Sequence, residues 1–66
     1  MSQAEMLQHW EIGEELTAYE IGDRVNRDHR WAHQRIRHLL KWGCLKKCGE
    51  VKVDGAGVRA VYKRIY

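Results

Sequence analysis

The sequence predicts one small α+β domain, mostly α, in which three helices precede a β-hairpin. Two Ser/Thr-x-x-Glu capping pairs and one strongly amphipathic segment indicate the helices, and the change to alternating apolar residues after Gly43 indicates the hairpin. The chain has 66 residues. A chain this short cannot form two stable hydrophobic cores, so a single domain is expected over 1–66.

The first helix is expected over about 3–12. Ser2 followed by Glu5 is a capping-box pattern at its start, and Gly13 is suited to end it. Its apolar side is a candidate homodimer interface and consists of Met6, Leu7 and Trp10.

The second helix is expected over about 18–25. Thr17 followed by Glu20 forms a second capping-box pattern. Ile21 and Val25 are four residues apart, so they share one helix face and are expected to be buried.

The third helix is expected over about 29–42, after a turn at 26–28 whose Asn and Asp favour turns and helix caps. Gly43 is suited to end it. Its predicted buried face consists of Ala32, Ile36, Leu39 and Leu40.

The hairpin is expected over about 45–66, with strands at 44–53 and 58–66. Val51 and Val53 alternate with polar residues in the first strand, and the second is rich in Val, Ile and Tyr. The intervening Asp-Gly-Ala-Gly at 54–57 is a strong turn signal, because Gly tolerates positive φ.

Charge is distributed unevenly along the chain. Residues 1–23 contain six acidic side chains and no Lys or Arg, whereas residues 24–66 contain all 12 basic side chains and three acidic ones. A molecule polarised in this way is expected to bind a phosphate-bearing or otherwise acidic partner.

Three features of the stretch 16–66 form a known pattern: Leu-Thr-Ala-Tyr-Glu-Ile-Gly at 16–22, the turn at 26–28, and the spacing of Leu39, Gly43 and Leu45. In these features the stretch resembles the winged helix-turn-helix family of DNA-binding proteins. The small Gly that follows Ile21 also fits the family pattern. The resemblance implies that the third helix enters the major groove of DNA and that the hairpin, the "wing", lies on the backbone or in the minor groove.

Helix geometry selects the residues that would read bases. At 100° per residue, the side of the third helix opposite its buried face consists of Arg30, Gln34, Arg37 and Lys41, with His33 at its edge. Arg can pair with guanine and Gln with adenine through two hydrogen bonds each, so this face has the chemistry to distinguish base pairs.

Further DNA contacts are expected outside that face. Arg27, in the turn before the third helix, is expected to bind a phosphate. Lys52 and Arg59, on the two wing strands, are expected to contact the backbone or the minor groove.

Three bulky or aromatic side chains, those of Trp31, His38 and Trp42, lie on one flank of the third helix. Trp31 and Trp42 are expected to border the core. A second interpretation gives Trp31 a contact with the sugar–phosphate backbone or a thymine methyl group.

Catalytic and metal sites are not expected. There is no Gly-rich phosphate loop and no nucleophile with an evident base, and Cys44 and Cys48 lack the tighter spacing of zinc ligands. No enzyme activity, cofactor or metal is therefore predicted. Without a signal peptide or an apolar run long enough for a membrane span, the chain is expected to be cytoplasmic or nucleoid-associated, with reduced cysteines.

Double-stranded DNA is therefore the predicted partner, bound sequence-specifically by a small transcriptional regulator of phage, viral or mobile-element type. The alternative is a winged-helix protein–protein module in a transcription or replication assembly, for which Trp31 and Trp42 exposed together would be the sign. Binding of RNA or left-handed duplex ranks last, because readers of left-handed duplex have a Pro in the wing and this chain has none.

Overall fold

A computed structural model describes residues 3–55 and 57–66 and shows a small α+β fold. Its elements in chain order are α1 (Gln3–Gln8), β1 (Glu15–Thr17), α2 (Ala18–Arg24), α3 (His29–Lys41), β2 (Leu45–Val53) and β3 (Gly57–Arg64). The strands form one antiparallel sheet in the order β1-β3-β2. Helices account for only 39% of the chain, so the expectation of a mostly α domain was wrong.

The first helix ends earlier than predicted, at Gln8 rather than near residue 12. The guanidinium of Arg64 donates to the carbonyl oxygens of Leu7 at 2.9 Å and Trp10 at 2.6 Å, so these end-of-helix acceptors are satisfied by a side chain of β3. The amide of Gly13 donates to the carbonyl of Arg64 at 2.7 Å, which draws the chain into the sheet. The predicted cap at Ser2 lies outside the described residues.

The second helix is preceded by a strand that the sequence analysis did not predict. The three residues of β1 pair with β3, with Leu16 opposite Tyr62. Thr17 ends β1 and caps α2, since its hydroxyl accepts from the Glu20 amide at 3.2 Å and its own amide donates to the Glu20 carboxylate at 2.9 Å. The predicted capping box is confirmed.

The third helix agrees closely with its prediction. Asp28 caps its start, with the carboxylate accepting from the Trp31 amide at 2.9 Å. At its end Gly43 takes a φ of +81°, and the amide of Cys44 donates to the carbonyl of Leu39 at 2.9 Å. Within the described residues, none of the helices is long and apolar enough to cross a membrane.

The hairpin is confirmed, with its second strand beginning one residue earlier and ending two residues earlier than predicted. Val53 pairs with Gly57 next to the turn, and Gly55 and Gly57 have φ values of +77° and +82°. A bulge between Lys47 and Gly49 shifts the register of β2.

The core lies between the helices and the inner side of the sheet. Its buried apolar side chains are Met6, Trp10, Leu16, Ala18, Ile21, Val25, Ala32, Ile36, Leu39 and Leu45. The predicted buried positions of α2 and α3 are confirmed except for Leu40, which is half-buried. Because Met6 and Trp10 are fully buried within the fold, they are not available for the homodimer interface that was considered for the first helix.

The two tryptophans of the third helix differ in environment. Trp31 is half-buried and packs against the core, as expected. Trp42 is 77% exposed, so the expectation that it borders the core was wrong. Trp42 is the C-cap residue, and Gly43 turns the backbone directly after it, which leaves the indole outside the helix–sheet contact.

Candidate nucleic-acid interface

The outward face of α3 is exposed along its length. It consists of Arg30, Gln34, Arg37 and Lys41, to which we refer as the α3 face. Among the described residues, these four side chains take part in no hydrogen bond or ion pair; the basic residues that do form ion pairs are Arg24 and Lys47. The α3 face therefore presents three cations and an amide whose hydrogen-bonding groups are available to a partner.

A cluster of rings borders one side of the α3 face and joins α2, α3 and β3. Tyr19 stacks on His29 with ring centroids 4.4 Å apart, and His33 meets both rings edge-on at 6.3 and 6.2 Å. The guanidinium of Arg59 lies 3.6 Å from the Tyr19 ring centroid. Two groups at these distances cannot occupy the same side of the ring, so Tyr19 is held between His29 and Arg59. We call these four residues the Tyr19 cluster.

A small cleft opens beside this cluster, between α2, α3 and β3. Its volume is about 130 Å³, and it is lined by Ala18, Tyr19, His33, Val58, Arg59 and Ala60. Partial burial lowers the pKa of His33, and the neighbouring charges of His29 and Arg37 lower it further. The imidazole is therefore biased toward its neutral form near neutral pH in the free protein.

A second aromatic and basic cluster borders the other side of the α3 face. The guanidinium groups of Arg27 and Arg35 lie 5.6 and 5.7 Å from the ring centroid of Trp31. These distances allow cation–π attraction and place two positive charges beside one indole. Arg35 was not among the predicted site residues. The four-residue spacing of Trp31 and Arg35 on the predicted helix was the available signal.

The two predicted wing residues do not lie on the same side of the hairpin. Val51 pairs with Arg59 and Lys52 with Val58, and directly paired residues share a face, so Lys52 and Arg59 project to opposite faces. Lys52 is exposed, whereas Arg59 is half-buried against Tyr19. The structure thus brings Arg59 together with the α3 region and leaves Lys52 apart from it.

Other basic side chains stabilise the fold. Arg24 forms a bidentate ion pair with Glu14 at 2.7 and 2.6 Å and also donates to the carbonyl of His9. The guanidinium of Arg64 is bonded to the carbonyl oxygens at the end of α1 and does not belong to the exposed basic surface. Lys47 lies 3.6 Å from Glu50 in an exposed pair.

The cysteines and histidines do not assemble a metal site in the part of the chain that the structure describes. Cys44 and Cys48 are free thiols. The Cys48 thiol donates to the Glu15 carboxylate at 3.3 Å, and burial together with this hydrogen bond raises its pKa.

The site that the structure assembles is therefore the α3 face with an aromatic and basic cluster on each side. Among the predicted residues, Arg27, Trp31, His33 and Arg59 belong to these flanking clusters, and Lys52 stands at a distance on the wing. Comparison of the chain with protein-family models, curated proteins and solved structures finds no match.

Proposed function

We propose that this chain is a winged helix-turn-helix protein that binds double-stranded DNA sequence-specifically and acts as a small transcriptional regulator of phage, viral or mobile-element type. In this proposal α3 enters the major groove and the β2–β3 hairpin is the wing on the backbone or in the minor groove. The order of the elements, with a short β1 that pairs to the hairpin, supports the winged-helix assignment.

The observation that carries the proposal is the α3 face. A helix fits the major groove, and exposed Arg and Gln side chains near its start can reach base edges. Arg30, Gln34 and Arg37 are spaced along that face and make no ion pair with the described residues, so DNA contacts would cost no internal interaction. The acidic side chains Glu14 and Glu20 are engaged elsewhere, in the Arg24 pair and the α2 cap.

The first experiment selects binding sites from random duplexes, and a clear consensus is the expected result. The second compares variants. If Arg37 makes a bidentate hydrogen bond to a base, Arg37→Ala should lose about 1–3 kcal/mol of binding free energy at the selected site. The variant should also show a weaker sequence preference at one or two base pairs.

A triple alanine variant at Arg30, Gln34 and Arg37 should remain folded and lose its sequence preference. The matched control is Lys46→Ala with Lys47→Ala, which also removes two positive charges but at the start of β2. The control should retain the consensus. A folded triple variant with undiminished preference would show that α3 does not read DNA.

The exposure of Trp42 favours a second candidate, a protein–protein module in a transcription or replication assembly. Only one of the two tryptophans meets the expected sign, since Trp31 is half-buried and has Arg27 and Arg35 beside its ring. Absence of any consensus in the selection, together with unchanged affinity for all duplexes in the triple variant, would favour this candidate.

A further inference from the structure

The cleft beside Tyr19 has the dimensions and lining of a site for a small anion. Its volume of about 130 Å³ is below the roughly 300–1,000 Å³ of sites for cofactors or drug-sized ligands, yet it exceeds what a single water needs. Arg59 of β3 and His33 of α3 line it together with Ala18, Tyr19, Val58 and Ala60. Charge interactions are stronger in a partly enclosed cleft than in open water.

Arg59 is held in place before any ligand arrives. Its guanidinium stacks on Tyr19, whose opposite side is covered by His29. A long side chain that is already ordered loses less conformational freedom on binding. The carboxylates that form ion pairs in the described residues, Glu14 and Glu50, pair with Arg24 and Lys47 and not with Arg59.

The cleft is continuous with the α3 face. His33 lies three residues from Arg30 and four from Arg37, so its imidazole is their neighbour on the helix surface. A duplex placed against the α3 face would therefore lie next to the cleft.

We propose that the cleft binds one phosphodiester group of duplex DNA through Arg59 and His33, and that His33 takes up one proton when this group binds. The inference rests on the proposed DNA-binding function and deepens it by naming the group bound and its chemistry. Both the neutral imidazole and the imidazolium of His33 can donate a hydrogen bond to a phosphate oxygen. Only the imidazolium adds a full positive charge, so phosphate binding favours uptake of a proton by His33.

The groups around His33 determine the direction of the effect. Tyr19 of α2 and Arg59 of β3 line the same cleft, and His29 and Arg37 lie on its own helix. Burial and these positive neighbours lower the pKa of His33 in the free protein, whereas a phosphate in the cleft would raise it. Affinity should thus increase as the pH falls from the bound-state pKa to the free-state pKa, and level off below the latter.

The experiment measures duplex affinity between about pH 5.5 and 8 at constant ionic strength, using the duplex obtained by selection. Uptake of one proton gives an increase of up to about tenfold per pH unit inside the window. His33→Gln should flatten this dependence, whereas His38→Gln, an exposed histidine on the opposite flank of α3, should leave it unchanged. A His33→Gln variant that keeps the wild-type pH dependence would overturn the proposed phosphate site while leaving the proposed DNA binding intact.

Tyr19 supplies a second test, with a tyrosine outside the cleft as its control. Tyr19→Leu removes the ring that holds Arg59 and should weaken binding severalfold at every pH, whereas Tyr66→Leu makes the same change at a side chain that is 79% exposed and should bind as the wild type does. Thermal unfolding checks that both variants are folded. Equal affinities for the two folded variants would show that the ring does not prepare Arg59 for the phosphate.

Inorganic phosphate serves as the probe for a free anion. We expect millimolar phosphate to move the His33 ring resonances only slightly, and duplex to shift the His33 titration strongly upward. Strong binding of inorganic phosphate without duplex binding would overturn both the proposed site for a DNA phosphate and the proposed function. Duplex binding that leaves the His33 titration unchanged would overturn the proposed phosphate site alone.

Discussion

Gly22 and Arg27 meet across the turn between α2 and α3. The amide of Arg27 donates to the carbonyl of Gly22 at 2.9 Å. A Cβ built on Gly22 would lie only 2.9 Å from the backbone carbonyl oxygen of Arg27. The tight turn that places Asp28 at the start of α3 therefore requires a residue without a side chain at position 22.

Gly22→Ala should lower the free energy of unfolding by about 1–2 kcal/mol. Overpacking against a backbone atom costs about 1–3 kcal/mol, and the better helix propensity of Ala offsets about 0.5–1 kcal/mol of that. Urea denaturation provides the measurement. Gly49→Ala is the matched control, because a Cβ there meets nothing within 4 Å and the position lacks a positive φ. Equal stability of the two variants would contradict the close-approach interpretation.

Ile36→Ala should destabilise the protein by about 2–5 kcal/mol, because it leaves a cavity in the core. Ile36 is 1% exposed. A chain of this size is stabilised by only about 3–10 kcal/mol in total, so DNA binding should be lost through unfolding. Ile12→Ala makes the same change at a side chain that is 69% exposed and should alter stability by less than about 0.5 kcal/mol. Comparable melting temperatures for the two variants would contradict the assigned core.

The Glu14–Arg24 pair should make stability depend on pH. The Arg24 hydrogen bonds, followed by the Glu11 amide, hold the pKa of Glu14 below its ordinary value of 4.5. The stabilisation is therefore complete above about pH 4.5 and is lost as the pH falls through the lower folded-state pKa. Glu14→Gln should melt below the wild type at pH 7, and the difference should shrink at about pH 2. A difference that is the same at both pH values would show that the pair is not its cause; Glu50→Gln, in a looser exposed pair, is the control.

Lys52→Gln tests the side of the wing that faces away from Arg59. A lysine that neutralises one phosphate should, when removed, weaken binding to every duplex alike and reduce the slope of log affinity against log salt by about 0.9. Lys46→Gln removes the same charge near the start of β2 and should leave the slope unchanged. If Lys52→Gln also leaves the slope unchanged, Lys52 is outside the interface.

The parts of the fold that depend on neighbouring residues could be predicted from the sequence. The limits of α3 are set by Asp28 before it, Gly43 after it and the spacing of apolar residues in between, all of which are local. The end of α1 could not be predicted, because Arg64 determines it from 54 and 57 residues away. Strand β1 was missed for a similar reason: three residues show no usable alternation, and their pairing partner is β3.

Parts of the candidate site could likewise be predicted from local sequence, whereas other parts depend on contacts between distant residues. The exposed α3 face follows from helix geometry alone, and the structure places its side chains in solvent. The Tyr19 cluster could not be predicted, since it joins a helix residue to Arg59, 40 positions later. The placement of Lys52 and Arg59 on opposite hairpin faces required the register, which depends on the turn and the bulge at Cys48.

The hydrogen bonds from Arg64 to the end of α1 have a consequence for folding during synthesis. Arg64 emerges from the ribosome more than fifty positions after the helix that it contacts. The buried Trp10 therefore has no complete environment until β3 has been made, and we expect the domain to remain incompletely folded until that strand is present. Assembly of this domain should thus be a single late event, in which the sheet closes and the first helix docks together.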